Sequence, residues 1–282
     1  MLKLIECPRD AMQGWQNFIP TATKIEYLNL LLKVGFDTLD FGSFVSPKAI
    51  PQMRDTAEVL AELDLSVTPT KLLAIVANLQ GAQEATKHEQ IAYLGYPLSI
   101  SETFQKKNTQ KSIIDSLRLL AELQELCQKT GKTLVTYISM AFGNPYGDHY
   151  DRETVEEFTQ KLVDLGIGII SLADTVGVAD AGDVNFLFKT LITRFPLIEF
   201  GAHLHATPSN AMSKLASAYL AGCRRFDGAI RGFGGCPMAT DHLTGNMPTE
   251  LMLSFLEAQN EVLHLNKDCF EKAYQYAGGV FV

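Results

Sequence analysis

The chain has 282 residues, 46% of them apolar and 20% charged, a balance that supplies a sizeable core and excludes the disordered and fibrous classes. Its formal net charge of −8 argues against nucleic acid as a partner, since a phosphate backbone calls for a basic field.

Along the chain, short β-rich runs alternate with amphipathic helical runs. The expected strands are residues 2–7, 38–42, 72–77, 91–98, 133–140, 168–173, 199–205 and 225–230. After the first strand, Ile25, Leu28, Leu31 and Leu32 recur at helical spacing, and Gly35 can close that helix. Between strands four and five the same pattern sets Ile113, Leu117, Leu120, Leu123 and Cys127 on one face, with Gly131 as the stop. The run from Asp151 to Gly166 opens with an aspartate cap and an acidic first turn, which suits the helix dipole. Residues 209–222 follow the seventh strand in the same way. Eight such units fit a closed (β/α)8 barrel, which typically needs about 250 residues. No linker divides the sequence, so one TIM-barrel domain over residues 1–282 is expected.

The five cysteines (Cys7, Cys127, Cys223, Cys236, Cys269) lie at irregular spacings and suit a reducing compartment better than a disulfide scaffold. All but Cys236 fall in strand or helix patterns and read as core residues. The opening "MLKLIECPRD" forms no apolar leader, and no apolar run approaches the roughly 18 residues of a membrane span. A cytoplasmic protein with no membrane partner is expected.

Chemistry in a barrel of this kind sits at the carboxyl ends of the strands, so position tests each candidate. In "GAHLHAT", His203 and His205 are two apart at a strand end, so both imidazoles face one side, a half-site for a divalent metal or a hydrogen-bonded structural pair. In "CPRDAMQ", Asp10 offers an oxygen ligand or base beside the fixed charge of Arg9. In "RGFGGCPMATDHLTGN", glycines precede both Cys236 and Asn246, a loop composition able to close over a substrate. Asp40 and Asp174 stand at two further strand ends, able to ligate, to orient a histidine, to transfer protons, or to cap the following loops. Lys48, Lys106 and Lys107 can form a local phosphate cluster or remain solvated. These candidates converge from strands one, two, six, seven and eight on one mouth.

The segments "ECPRDAMQ", "FGSFVSPKAIPQM", "SETFQKKN", "SLADTVGV", "AHLHAT" and "GFGGCPMATDHLTGNMPTE" resemble, in order, the 3-hydroxy-3-methylglutaryl-CoA lyase family of metal-dependent TIM-barrel enzymes. The resemblance implies Mg2+ or Mn2+ held by Asp10, His203, His205 and Asn246, and a retro-Claisen cleavage of the acyl-CoA to acetyl-CoA and acetoacetate. It implies Asp10 or His203 as base, Arg9 as stabiliser of the developing enolate, and Cys236 as proton donor. Asp40 and Asp174 would support the site, with Glu250 orienting the Asn246 segment. Gln13, Lys48, Tyr137, Asn144, Thr175 and Glu250 would line the substrate, and a homodimer is implied.

The sequence departs from the family pattern in several places. Asp40 stands for a usual Glu, Ala206 for Asp, Asn144 for Cys, and Ala77 for Pro; Val135 and Thr136 replace an Arg-Gly pair. The loop from Cys236 to Asn246 is one residue longer than usual. Within the same superfamily the rivals are a lyase for another 3-hydroxyacyl-CoA and a Claisen-type synthase. The synthases usually continue past the barrel, whereas this sequence stops soon after its last helix. A barrel that binds acyl-CoA without catalysis is the rival outside enzymes.

Overall fold

Residues 2–235 and 244–281 are described by the structure, a computed structural model. Eight strands follow one another at intervals filled by helices: β1 (Lys3–Glu6), β2 (Thr38–Ser43), β3 (Lys71–Ile75), β4 (Ile91–Ser99), β5 (Thr133–Ser139), β6 (Ile169–Asp174), β7 (Glu199–Ala206) and β8 (Arg225–Gly228). Each pairs in parallel with its neighbours, and β8 returns to β1 with Lys3 opposite Arg225 and Glu6 opposite Gly228. The sheet is therefore closed, the eight-stranded parallel barrel that the alternating pattern predicts. Among the described residues, no helix is long and apolar enough to cross a membrane.

Burial explains why these runs become parallel strands. Every residue of β2, β6 and β8 is buried, as expected of strands covered on both faces. Alternate residues Leu73, Ile75, Tyr93, Val135, Tyr137 and Ile169 form one apolar cluster within the barrel, while a larger cluster packs between strands and helices.

The helices start and stop on local chemistry. Asp151 accepts the Thr154 N–H at 2.7 Å and opens Arg152–Asp164. Ser112 opens Ile113–Thr130, and Gly131, at φ 68°, ends it in the left-handed region where a side chain would be strained. The buried face of that helix carries Ser116, Leu119, Leu120, Leu123 and Cys127; Ile113 and Leu117, expected on it, sit half-buried at its edge.

Two departures shape the barrel mouth. The eighth strand ends at Gly228 rather than 230, because the Ile230 N–H leaves the ladder for Glu6 Oε1 at 2.8 Å and the chain turns through Ile230–Gly232. A ninth strand that the pattern does not predict, β9 (Gly245–Asn246), runs antiparallel to β7 and sets Asn246 opposite His205.

Candidate active site

The mouth gathers four groups that the sequence separates widely. His203 and His205 come from the end of β7, Asp10 from the helix Pro8–Gln13 directly after β1, and Asn246 from β9. One ligand atom each from Asp10, His203 and His205 lies within 4.8 Å of the others. Asn246 donates its Nδ2–H groups to Asp10 Oδ2 and to the Phe233 carbonyl, both at 2.9 Å, so Oδ1 is the atom left to coordinate.

The hydrogen bonds fix which atoms face inward. His205 Nδ1 lies 2.9 Å from the Thr175 carbonyl, which can only accept, so Nδ1 carries the proton and Nε2 keeps its lone pair. His205 is buried, and burial together with the nearby His203 lowers its pKa to about 4, so the ring stays neutral. Its Nε2 has no hydrogen-bond partner among the described residues and lies 3.9 Å from Asp10 Oδ2. Burial pushes the Asp10 carboxyl up, but Arg9, His203, His205 and the Asn246 amide together outweigh it and hold it at about 2. A bare nitrogen lone pair thus faces a carboxylate in a buried site with no proton between them. That arrangement is unfavourable alone and favourable around a cation, and its oxygen and imidazole donors suit a hard or borderline divalent ion.

His203 is held from behind. Its Nδ1 lies 3.1 Å from Asp227 Oδ2, the carboxylate–histidine arrangement that orients a metal-binding ring. Burial pulls its pKa down, but the Asp227 hydrogen bond and charge, with Asp10, carry it above the ordinary value. Cys7, His203 and Asp227 form a second close group. The Cys7 thiol lies 3.8 Å from the Ile5 carbonyl and His203 Nδ1 is taken up by Asp227, so the first group has the free donor atoms.

Arg9 binds the carboxylates on both sides. Its Nη1 reaches Asp10 Oδ1 at 2.9 Å, while Nε and Nη2 form a fork on Asp40 at 3.1 and 2.5 Å. Burial pushes the Asp40 carboxyl up against the pull of Arg9. Gln13 also donates to Asp10 Oδ1, at 2.7 Å. The Tyr137 ring meets His203 edge-on, with 5.5 Å between centroids.

Other expected residues have different contacts. Asp174 pairs with the fully buried Lys214 at 2.6 Å and accepts the Ala179 N–H, while Asp180 caps the helix Ala181–Arg194. Lys214 also donates to the carbonyls of His205 and Gly177, so this ion pair braces the β6 and β7 loops. Thr175 contributes its carbonyl to His205 and its hydroxyl to the Met140 N–H. Glu250 accepts the Arg231 N–H at 3.0 Å and so holds the turn after β8, whereas Phe233 and Asp10 are what hold the Asn246 amide. Asn144 bonds back to its own loop at Tyr146 and Asp148, and Lys48 is exposed in the turn after β2. Cys236 lies outside the described residues.

Sequence reasoning missed Asp227, which stands one residue before the end of β8, because the expected strand ran on to residue 230. It also missed Lys214, for which no signal exists, since a lysine in an amphipathic helix reads as surface.

The chain is similar to known proteins over nearly its whole length. The HMGL-like family model matches residues 3–274. Hydroxymethylglutaryl-CoA lyase YngG of Bacillus subtilis (strain 168) is 34% identical over 252 residues, spanning 89% of this chain and 83% of its own. The 3-hydroxy-3-isohexenylglutaryl-CoA/hydroxy-methylglutaryl-CoA lyase of Pseudomonas aeruginosa is 33% identical over 256 residues, with 90% and 84% covered. Among solved structures, an HMG-CoA lyase of Brucella melitensis superposes with a TM-score of 0.92 at 27% identity, covering 99% of this chain and 98% of that one. An HMG-CoA lyase of Acinetobacter baumannii in complex with coenzyme A and 3-methylmalate gives 0.91 at 29% identity, with 100% and 91% covered.

Proposed function

The chain belongs to the HMGL-like family, and from that premise we propose that its single barrel domain is a carbon–carbon lyase that cleaves 3-hydroxy-3-methylglutaryl-CoA to acetyl-CoA and acetoacetate with Mg2+ or Mn2+. The observation that carries the reading is the pair of facing acceptors, His205 Nε2 and Asp10 Oδ2. Asp10, His203, His205 and Asn246 would hold the ion. When bound it supplies Lewis acidity that makes the substrate's C3 hydroxyl a better proton donor.

The residues supply the rest. Asp10 and His203 are the two groups placed to take that proton. As the C3 oxygen becomes a ketone, the C2–C3 bond breaks and its electron pair passes to the acetyl thioester. Arg9, oriented by Asp10 and Asp40, offers positive charge to the thioester oxygen as it gains negative charge. Cys236 delivers a proton to the acetyl carbon, and Tyr137 walls the pocket beside His203. A homodimer accompanies this reading.

Product analysis distinguishes it from the synthase alternative. Incubation with the acyl-CoA, followed by mass spectrometry, is expected to give acetyl-CoA and acetoacetate. Condensation of acetyl-CoA with a 2-oxo acid, without cleavage, would replace the lyase reading.

A further inference from the structure

Below His203 the barrel interior carries a polar layer instead of the usual branched apolar one. The strand registers set Tyr137, Ser171, Gly201 and Arg225 side by side across β5, β6, β7 and β8. Gly201 makes room for its neighbours: a Cβ there would lie 2.3 Å from Ser171 Oγ and 3.1 Å from Arg225 Cδ. Arg225 is 0% exposed and bonds through Nη1 to Glu199 Oε1 at 3.0 Å. Its Nε and Nη2, with Tyr137 Oη, Ser171 Oγ and Asp227 Oδ1, are all buried without a hydrogen-bond partner among the described residues.

Those five atoms are chemically complementary. Arg225 offers only donors, Asp227 Oδ1 only accepts, and the two hydroxyls do either. Arg225 and Asp227 are two apart on β8, so their side chains leave the strand on the same face. A buried guanidinium and a buried carboxylate each need their hydrogen-bonding capacity met, and water is the species able to meet donor and acceptor together. Two carboxylates already face Arg225, Glu199 (shared with Lys3) and Asp227 (shared with His203), and their negative charge disfavours an anion there.

We propose that Arg225 is a positioning residue, acting through water held in this polar layer to fix Asp227 and, through Asp227, the His203 ring. Arg225 Nε–H and Nη2–H donate to the water, and the water donates to Asp227 Oδ1, leaving Oδ2 aimed at His203 Nδ1. Asp227 is also the carboxylate whose charge acts most strongly on Arg225, ahead of Glu199. The proposal rests on the metal reading of the site above, and it adds a third tier of support beneath it.

The test uses Mn2+ alone, titrated into the metal-free full chain and followed by electron paramagnetic resonance. Arg225→Met is expected to weaken Mn2+ binding about tenfold, at the low end of what loss of outer-shell support costs, while Arg225→Lys restores it to within about twofold. Unchanged Mn2+ affinity in a folded Arg225→Met protein overturns the proposal. A high-resolution crystal structure of the parent decides the case if that variant does not fold. Water within hydrogen-bond distance of both Arg225 and Asp227 Oδ1 is the expected result; an anion, or no density, overturns it. A parent that binds no Mn2+ removes the metal reading and with it the predicted loss of affinity, while the parent density still decides the water bridge.

Discussion

Asn246 donates to Asp10 Oδ2 across 2.9 Å although 236 positions separate them, and the bond exists because β9 pairs Asn246 with His205. One short antiparallel bridge thereby brings the last segment of the site onto the first. Asn246→Ala should weaken Mn2+ binding at least about tenfold, because it removes the amide oxygen and frees the Asp10 carboxylate. Calorimetric titration of the metal-free protein checks this; equal affinity would remove Asn246 from the ligand set.

Asp227 is expected to set the pH range in which the site accepts an ion. It raises the His203 pKa above its ordinary value, so a proton competes with the metal at that ring on the alkaline side of 6.5. Metal affinity should fall as pH is lowered through that region. In Asp227→Asn the fall should shift to lower pH, and the plateau affinity should drop about 10–100-fold. Mn2+ titrations from pH 6 to 9 measure both effects, and an unshifted curve would exclude Asp227.

Glu6 makes stability depend on pH. The side chain is fully buried, and burial pushes its pKa from 4.5 to about 8 against hydrogen bonds from Ile230 N–H and Thr249 Oγ1. The folded value is the higher one, so this contribution is fully present below 4.5 and is lost as pH rises through about 8. A single such group gives a slope of at most about 1.4 kcal/mol per pH unit. Glu6→Gln imitates the protonated form and should gain stability over the parent at pH 9 but not at pH 4. Parallel melting curves that differ by the same amount at both pH values would refute it.

Lys214 and Asp174 are both buried and pair at 2.6 Å, and among the described residues neither has another ion-pair partner. Lys214→Met leaves the carboxylate uncompensated, which costs about 3–5 kcal/mol in comparable pairs. Urea unfolding should show that loss, and Lys214→Met with Asp174→Leu should recover much of it. A double variant no better than the single would mean that the pair does not act as a unit.

The barrel and the centre of its site were legible in the sequence for a physical reason. Strand alternation forces His203 and His205 to one side, and the strand-end rule places Asp10 at the same mouth, while Asp40, third of the six residues of β2, joins it through Arg9. What sequence reasoning lost depends on long-range pairing. The two-residue β9 is too short to leave a periodic trace, and Lys214 is buried only because Asp174 meets it from another strand. Glu250 was expected at the Asn246 segment, yet it binds the Arg231 N–H because the chain turns there into the left-handed region, with Arg231 at φ 62°. Arg225 looked like an ordinary strand residue, since nothing local announces that Gly201 on the neighbouring strand opens space for it.

The most direct measurement is acetoacetate release from 3-hydroxy-3-methylglutaryl-CoA by the full chain in Mg2+, in excess EDTA, and after Mn2+ is restored, with His205→Gln alongside. The expected result is release that EDTA abolishes, Mn2+ restores and the folded variant lacks. Release undiminished by EDTA, or a protein that binds Mn2+ tightly and frees no acetoacetate, would contradict it.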